Sequence, residues 1–285
     1  MKKLLFMLDT DPVANTFDVV VGYDGGADVV TPYGGITPQN VEKMVAGTIF
    51  TRPPKKKHLT AIFVTGSNMT EGEELYKAVR KHMFKPFTVS VMLDSNGSNT
   101  TAAAAAALMV KHGSVAGQRA VILAGTGPVG QRAGVMLARE GAEVIITSRK
   151  LDRAEAACAA TKQSFGVDLK AMEASDEAST TKALEGAHIC FATGAAGIQL
   201  LSQKQWADHP TLRILTDANA TPPLGIEGVD MMDKGERRNG KICYGAIGFG
   251  GLKIELQRQC VEKLFETNTL TLDAEEIYAI AKKLA

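Results

Sequence analysis

Residues 119–150 read RAVILAGTGPVGQRAGVMLAREGAEVIITSRK. An apolar, β-prone run from Ala120 to Ala124 enters the turn Gly125-Thr126-Gly127-Pro128-Val129-Gly130, and helix formers follow to Glu140. Gly141 stops that helix, and a second strand, Val144 to Thr147, ends at Ser148-Arg149-Lys150. Strand, G-x-G-x-x-G turn, helix and strand in this order make the first half of a dinucleotide-binding βαβ unit. Gly125 permits the tight turn, Gly127 lets a pyrophosphate approach the backbone, and Gly130 lets helix and strand pack closely. Pro128 suits the first helical turn, where its missing N–H costs nothing. The helix N-terminus then offers N–H groups to phosphate, with Thr126 and Val129 completing the turn. An NAD site usually ends its second strand with Asp or Glu for the ribose 2′-hydroxyl. Here Ser148, Arg149 and Lys150 stand there, a hydroxyl and two cations that suit the 2′-phosphate of NADP.

The rest of the composition narrows the class. A chain of 285 residues with 45% hydrophobic content can bury a sizeable core, as one large α/β unit or two domains. A formal net charge of +1 argues against nucleic acid or an anionic membrane as main partner. Cys158, Cys190, Cys243 and Cys260 are scattered without pairing pattern, which fits a reducing compartment rather than a disulfide framework. The five histidines make no metal-ligand spacing, and no metal is expected. The apolar start, Leu4 to Leu8, is cut short by Asp9 and Asp11, too early for a signal peptide. A cytoplasmic protein is the expectation.

Along the chain, strands alternate with helices, which argues for parallel sheets. Strands are expected at Lys3 to Leu8, Thr60 to Thr65, Phe87 to Leu93, Val167 to Ala171, Ala187 to Ala192 and Arg213 to Thr216. Helices are expected from about Glu71 to Met83, over Leu151 to Ser164, and over Glu177 to Leu184. Thr37 to Asn40 looks like a helix cap, and Lys55 to Lys57 like an exposed loop. The polar run Asp94 to Thr101 precedes six alanines, Ala102 to Ala107, read as a tightly packing connector helix between domains. Tyr244 to Gly251 is Gly-rich, and Lys253 after it is expected to begin a helix. Leu252, Leu256, Cys260 and Leu264 recur every fourth residue as a buried stripe. This helix and a terminal one, Asp273 to Leu284, are expected to return to the N-terminal domain. The expected division is residues 1–108 for a substrate domain, 109–245 for a Rossmann domain, and 246–285 returning to the first.

Five segments carry a resemblance: FDVVVGYDGGAD from Phe17, MLDSNGSNTTAAA from Met92, LAGTGPVG from Leu123, NATPPLGIEGVD from Asn219 and GAIGFGGLK from Gly245. Together they resemble the bacterial NADP-dependent methylene-tetrahydromethanopterin/methylene-tetrahydrofolate dehydrogenases of methylotrophs, nearly end to end. The resemblance implies an α/β protein of two domains, a Rossmann-type NADP domain and a discontinuous α/β substrate domain with the active-site cleft between them. It also implies oxidation of a methylene-pterin to the methenyl form, with hydride passing to NADP⁺. It implies a homo-oligomer with a trimer as the candidate number, and an active-site lysine at Lys253.

The chemistry agrees with what the chain lacks. Alcohol oxidation needs a base, and neither a Tyr-x-x-x-Lys pair nor a His–carboxylate pair stands in place. A methylene carbon between two nitrogens loses only hydride, so the protein must align reactants and tune charge. The pterin head calls for carboxylate or amide partners, and Asp18, Asp24, Asp94, Asn96, Asn99 and Asn219 are the candidates, all in or beside Gly-rich or strand-end loops. Thr193 and Gly194, at one strand end, and Asp217, at the next, are assigned to the cofactor side. Two alternatives stay open: another NADP enzyme of shikimate-dehydrogenase-like layout, which would need a Lys–Asp pair, and a non-catalytic NADP-binding protein.

Overall fold

The structure, a computed structural model, describes residues 1–285. In chain order its elements are β1 (Leu4–Asp9), α1 (Thr16–Asp24), β2 (Val29–Tyr33), α2 (Glu42–Phe50), β3 (Thr60–Thr65), α3 (Met69–Lys81), β4 (Ser90–Leu93), α4 (Ser98–Val110), β5 (Arg119–Leu123), α5 (Pro128–Arg139) and β6 (Glu143–Ser148). There follow α6 (Leu151–Phe165), β7 (Lys170–Glu173), α7 (Glu177–Leu184), β8 (Ala187–Ala192), α8 (Gln203–Trp206), β9 (Ile214–Asp217), β10 (Lys234–Arg238), β11 (Lys241–Tyr244), α9 (Ala246–Leu264), β12 (Thr271–Leu272) and α10 (Ala274–Leu284). Two compact units result: residues 1–100 with 254–284, and residues 101–253 with the terminal Ala285. The chain passes from one unit to the other inside α4 and again inside α9.

The first unit is a five-stranded sheet in the order β12-β4-β3-β1-β2, with every pairing parallel. β3 is buried at all six positions, as a central strand covered on both faces must be. Leu75 and Val79 of α3 and Val45 and Ile49 of α2 pack with Ile62 and Val64 in one core. Asn68 caps α3 by accepting from the Thr70 N–H at 3.0 Å. The chain winds from β1 to β2 in one direction and from β3 through β4 to β12 in the other. The switch point of this sheet therefore lies between the carboxyl ends of β1 and β3.

Two local expectations in this unit are corrected. Thr37 to Asn40 caps no helix, because α2 starts after Val41 without a side-chain cap, and Asn40 accepts from the Thr37 N–H within its own turn. Lys55 to Lys57 belongs to a 3₁₀ turn, Pro54–Leu59, and Lys57 is fully buried. Its ammonium donates to the Ile49 carbonyl in the last turn of α2 and lies 4.8 Å from the Phe87 ring centroid. The last carbonyls of a helix lack partners and carry partial negative charge, which gives a buried cation a place that local sequence does not reveal. Burial pushes the Lys57 pKa below its ordinary value.

The second unit is a seven-stranded sheet in the order β10-β11-β9-β8-β5-β6-β7, parallel apart from the β10–β11 hairpin. The chain adds β6 and β7 on one side of β5 and β8 and β9 on the other, so its switch point lies between β5 and β8. Val121, Leu123, Cys190 and Leu215 meet Trp206 in its core, and the indole N–H donates to the Glu227 carbonyl at 2.8 Å. α9 corrects a further expectation, since it begins at Ala246 and leaves Lys253 in its third turn. A Cβ at Gly245 or Gly248 would collide with the carbonyl oxygen of Asp230 or Asp233 respectively. The N–H groups of Gly245, Ile247 and Gly248 donate to the carbonyls of Asp233 and Met231 at 2.8–2.9 Å. These glycines thus seat the helix start against its own unit.

No helix is long and apolar enough to cross a membrane.

Candidate functional site

The Gly-rich turn falls at the switch point of the second sheet. β5 delivers Ala124 at φ 51, a left-handed conformation held by the Ala124 N–H donating to Thr147 Oγ1 at 3.1 Å and the Gly125 N–H donating to the Thr147 carbonyl at 3.0 Å. A Cβ on Gly130 would stand 2.6 Å from Gly125 Cα, whereas one on Gly127 would meet nothing within 4 Å. Gly130 is there for packing; Gly127 leaves open space in front of the backbone. Pro128 opens α5, and Gly127 caps it without a side-chain bond, so Val129 and its neighbours carry helix-start N–H groups. From the second turn of α5, Gln131 donates to the Thr126 carbonyl at 2.6 Å and pins the turn. Thr193 closes the other side, its N–H and hydroxyl both donating to the Leu123 carbonyl at 3.0 and 3.2 Å.

A cleft of about 780 Å³ opens here. Thr126 and Gly127 line one wall, Thr193 and Gly194 another, and Ser148, Arg149, Lys150 and Arg153 the end beyond β6. Seven assigned cofactor residues thus face one cavity. Gly125, Pro128, Val129 and Gly130 shape the turn behind it. Gln131, Thr147 and Arg153 were not singled out from sequence; Thr147, in the second strand, and Arg153, four residues past Arg149, had the right place to be noticed. The start of α5 supplies backbone N–H groups and exposed side chains supply the cations, so the donor set fits a dinucleotide with an extra phosphate.

Asp217 does not join this cleft. It is buried, its Oδ1 accepts from the Asn219 N–H at 2.9 Å and its Oδ2 from the Ile226 N–H at 2.8 Å. Burial raises its pKa despite those bonds. Its carboxylate fixes the loop after β9, which corrects the cofactor assignment. Asn219 serves the same loop, accepting from the Thr221 N–H at 2.8 Å and donating to the Pro223 carbonyl at 3.1 Å.

The substrate candidates in the first unit are also mostly engaged within it. Asp94 is buried and accepts from the N–H and hydroxyl of Thr100 at 3.0 and 2.6 Å, holding the start of α4. Asn99, also buried, donates to the Leu93 carbonyl at 2.7 Å and to Asp273 Oδ1 at 3.1 Å. Asp18 accepts from the Gln257 amide at 2.9 Å, and Asp24 pairs with Arg258 at 2.7 Å across α1 and α9. Only Asn96 of this group combines an exposed side chain with a special backbone, at φ 55. Beside it, at the β1/β3 switch point, Ser67 donates to Asp11 through N–H and hydroxyl, both at 2.9 Å. Neither Asp11 nor Ser67 was a sequence candidate; only the sheet order brings them together. Lys253 is half-buried in α9, one helical turn before Gln257.

Comparison with known proteins agrees with this geometry. The model of the family "Methylene-tetrahydromethanopterin dehydrogenase, N-terminal" matches residues 16–96. The chain is 54% identical over 286 residues to the bifunctional protein MdtA of Methylorubrum extorquens, covering all of this chain and 99% of that protein. It is 29% identical over 294 residues to the NAD(P)-dependent methylenetetrahydromethanopterin dehydrogenase of the same organism, again over all of this chain and 99% of the relative. Among solved structures, the shikimate 5-dehydrogenase of Listeria monocytogenes shares the fold at a TM-score of 0.53 and 14% identity, over 98% of this chain and 96% of that one. On the strength of the full-length 54% identity and the N-terminal match, the chain belongs to the methylene-tetrahydromethanopterin dehydrogenase family.

Proposed function

We propose that this protein is an NADP-dependent dehydrogenase that oxidises 5,10-methylene-tetrahydromethanopterin, 5,10-methylene-tetrahydrofolate or both to the methenyl form in one-carbon metabolism. The observation that carries this is the 54% identity over the whole chain, supported by a cation-ended cleft at the switch point of the second sheet.

When bound, NADP⁺ supplies the hydride acceptor. The chain's own residues hold and orient. Backbone N–H groups of Gly127, Val129 and Gly130 at the start of α5 take the pyrophosphate, with Gly125, Thr126 and Pro128 setting the turn. Ser148, Arg149 and Lys150 take the 2′-phosphate, and Thr193 and Gly194 wall the opposite side. On the substrate side the exposed Asn96, with Asp11 and Ser67, offers the donors and acceptors that a pterin head needs; Asp94 and Asn99 hold the loop that carries Asn96, Asp18 and Asp24 tie α1 to α9, and Asn219 holds the loop after β9. Lys253 donates a hydrogen bond to a substrate oxygen and fixes the reacting carbon. It is not a base, because loss of hydride from a carbon between two nitrogens releases no proton.

The oligomer belongs to the same proposal. Val13, Val20 and Tyr23 stand exposed at and along α1, apolar surface that a second copy would cover; a trimer is the candidate number. Light scattering at about 30.3 kDa across micromolar concentrations would reject it. Four free thiols fit a cytoplasmic location.

Absorbance detection of methenyl-pterin, with each pterin and each nucleotide, tests the activity. Product with NADP⁺ and one or both pterins is the expected result. No product with either pterin would leave a non-catalytic nucleotide binder or an enzyme for another substrate.

A further inference from the structure

Within the first unit, the face of the sheet that packs on α2 is covered over β3 and left open over β1. Along β1, Leu5 and Met7 are fully buried, Leu5 against Gly22 of α1, while Leu4 and Phe6 on the opposite face are only half-buried. Phe6 pairs with Ile62 of β3 and Leu8 with Tyr33 of β2, so Leu4, Phe6 and Leu8 form an apolar strip between them. Four strand steps make that strip about 13 Å long. Beside it α2 presents Met44, Gly47, Thr48 and Thr51, positions three and four apart on one helix face, whereas Val45 and Ile49 turn into the core. A cavity of about 670 Å³ results, a size usual for small-ligand sites. Gly47 keeps it open, because a Cβ there would meet nothing within 4 Å. Interior strands of parallel sheets are ordinarily covered on both faces, so this half-buried strip is surface that a ligand can cover.

The charge of the lining is one-sided. It contains no Asp or Glu, and its cations are Lys2, Lys43 and Arg52. Arg52 is spent on the carbonyls of Leu59 and Lys2 at 2.5 and 2.8 Å. The second of these bonds sets the end of α2 against Lys2, so Lys43, in the first turn of α2, stands toward the other end of the groove. Both lysines are exposed, and neither is paired with a carboxylate. We propose that this groove binds a single-chain anionic amphiphile, a fatty-acid-like carboxylate whose chain lies along Leu4, Phe6 and Leu8 and whose head meets one of the two lysines. A long apolar floor suits an extended chain, and free cations toward both ends favour a negative head. The rival occupants are a second copy of this chain and the tail of the pterin.

Fluorescence titration of the full chain with cis-parinarate, a conjugated fatty acid, reads occupancy of the groove. Dodecanoate, dodecanol and dodecyltrimethylammonium serve as competitors, and light scattering follows assembly in the same samples. Saturable binding is expected, displaced by dodecanoate and several-fold less well by the neutral and cationic analogues. The double variant Lys2→Glu/Lys43→Glu should weaken the probe about tenfold, the effect of reversing two exposed charges. Gly47→Phe puts a ring into the groove and should abolish binding, while urea stability holds or rises, as for glycine replaced at an exposed helical position. No saturable binding to the wild type, or binding unchanged in both variants, would overturn the proposal. Equal displacement by all three competitors would overturn the anionic head on which the ligand class rests. Displacement of the probe by tetrahydrofolate would give the groove to the pterin tail. An oligomer that dissociates in Gly47→Phe, with no probe bound by the wild type, would give it to a second copy.

Discussion

Two strand-to-helix turns, one in each sheet, use their residues in opposite ways. Residues 124–130 lead from β5 into α5, and residues 94–100 lead from β4 into α4. The first is poor in polar side chains, yet its backbone is left open toward the cleft at Gly127. The second is rich in Asp, Ser, Asn and Thr, yet Asp94 and Asn99 are buried and consumed by Thr100, Leu93 and Asp273. Polar composition does not make a binding site. What binds is the group whose hydrogen-bonding capacity the fold leaves unspent.

The largest effect should come from the polar turn. Asp94→Ala removes two bonds to a buried carboxylate and should lower the unfolding free energy by about 3 kcal/mol, at about 1.5 kcal/mol each. Urea denaturation reads this directly. A variant of normal stability that had lost only pterin affinity would break the contrast, because Asp94 would then face substrate.

The glycines of the other turn sharpen it next. Gly130→Ala must push a Cβ against the backbone of Gly125 and should cost about 1–3 kcal/mol of stability together with nucleotide binding. Gly127→Ala has free space and an ordinary φ of −78°. It should hold or raise stability by up to about 1 kcal/mol while weakening the nucleotide. Should both alanines destabilise the free protein equally, Gly127 is a packing residue too.

Lys253→Met carries the comparison into catalysis. It should lower kcat/KM at least about tenfold, some 1.4 kcal/mol of transition-state stabilisation, with NADP⁺ affinity unchanged in a binding titration. Full turnover would return Lys253 to a structural place in α9. The smallest effect belongs to Asp24→Ala, which breaks only the half-exposed pair with Arg258. A stability change under about 1 kcal/mol and unaltered KM for the pterin are expected; a raised KM would restore Asp24 as a substrate contact.

Much was legible in the chain itself. The G-x-G-x-x-G turn, its flanking strands and the cationic strand end needed only local chemistry, because each glycine answers a constraint within a few residues. Periodicity placed α7 and β8 and marked Leu252, Leu256, Cys260 and Leu264 as a buried stripe, of which the last three are fully buried and Leu252 is half-buried. Both of the last two helices were expected in the first unit; α10 and the part of α9 from residue 254 lie there, while residues 246–253 of α9 lie in the second. The two-residue β12 left no pattern to read, since its pairing with β4 is settled by the sheet and not by its own residues.

Only the tertiary structure decided which polar residues are available. Asp217 looks like a ligand-facing strand end until the loop to Ile226 folds back onto its carboxylate. Lys57 looks like surface until the end of α2 is brought over it. Gly245 and Gly248 look like an opening for a ligand until residues 230–233 are packed against them, whereas Gly250 and Gly251, nearer Lys253, keep open space. Asp11 and Ser67 carry no signal until strand order sets β1 beside β3. In every case the deciding partner lies beyond the neighbours that local propensity can sense, and a donor or acceptor counts for function only after those distant partners have taken their share.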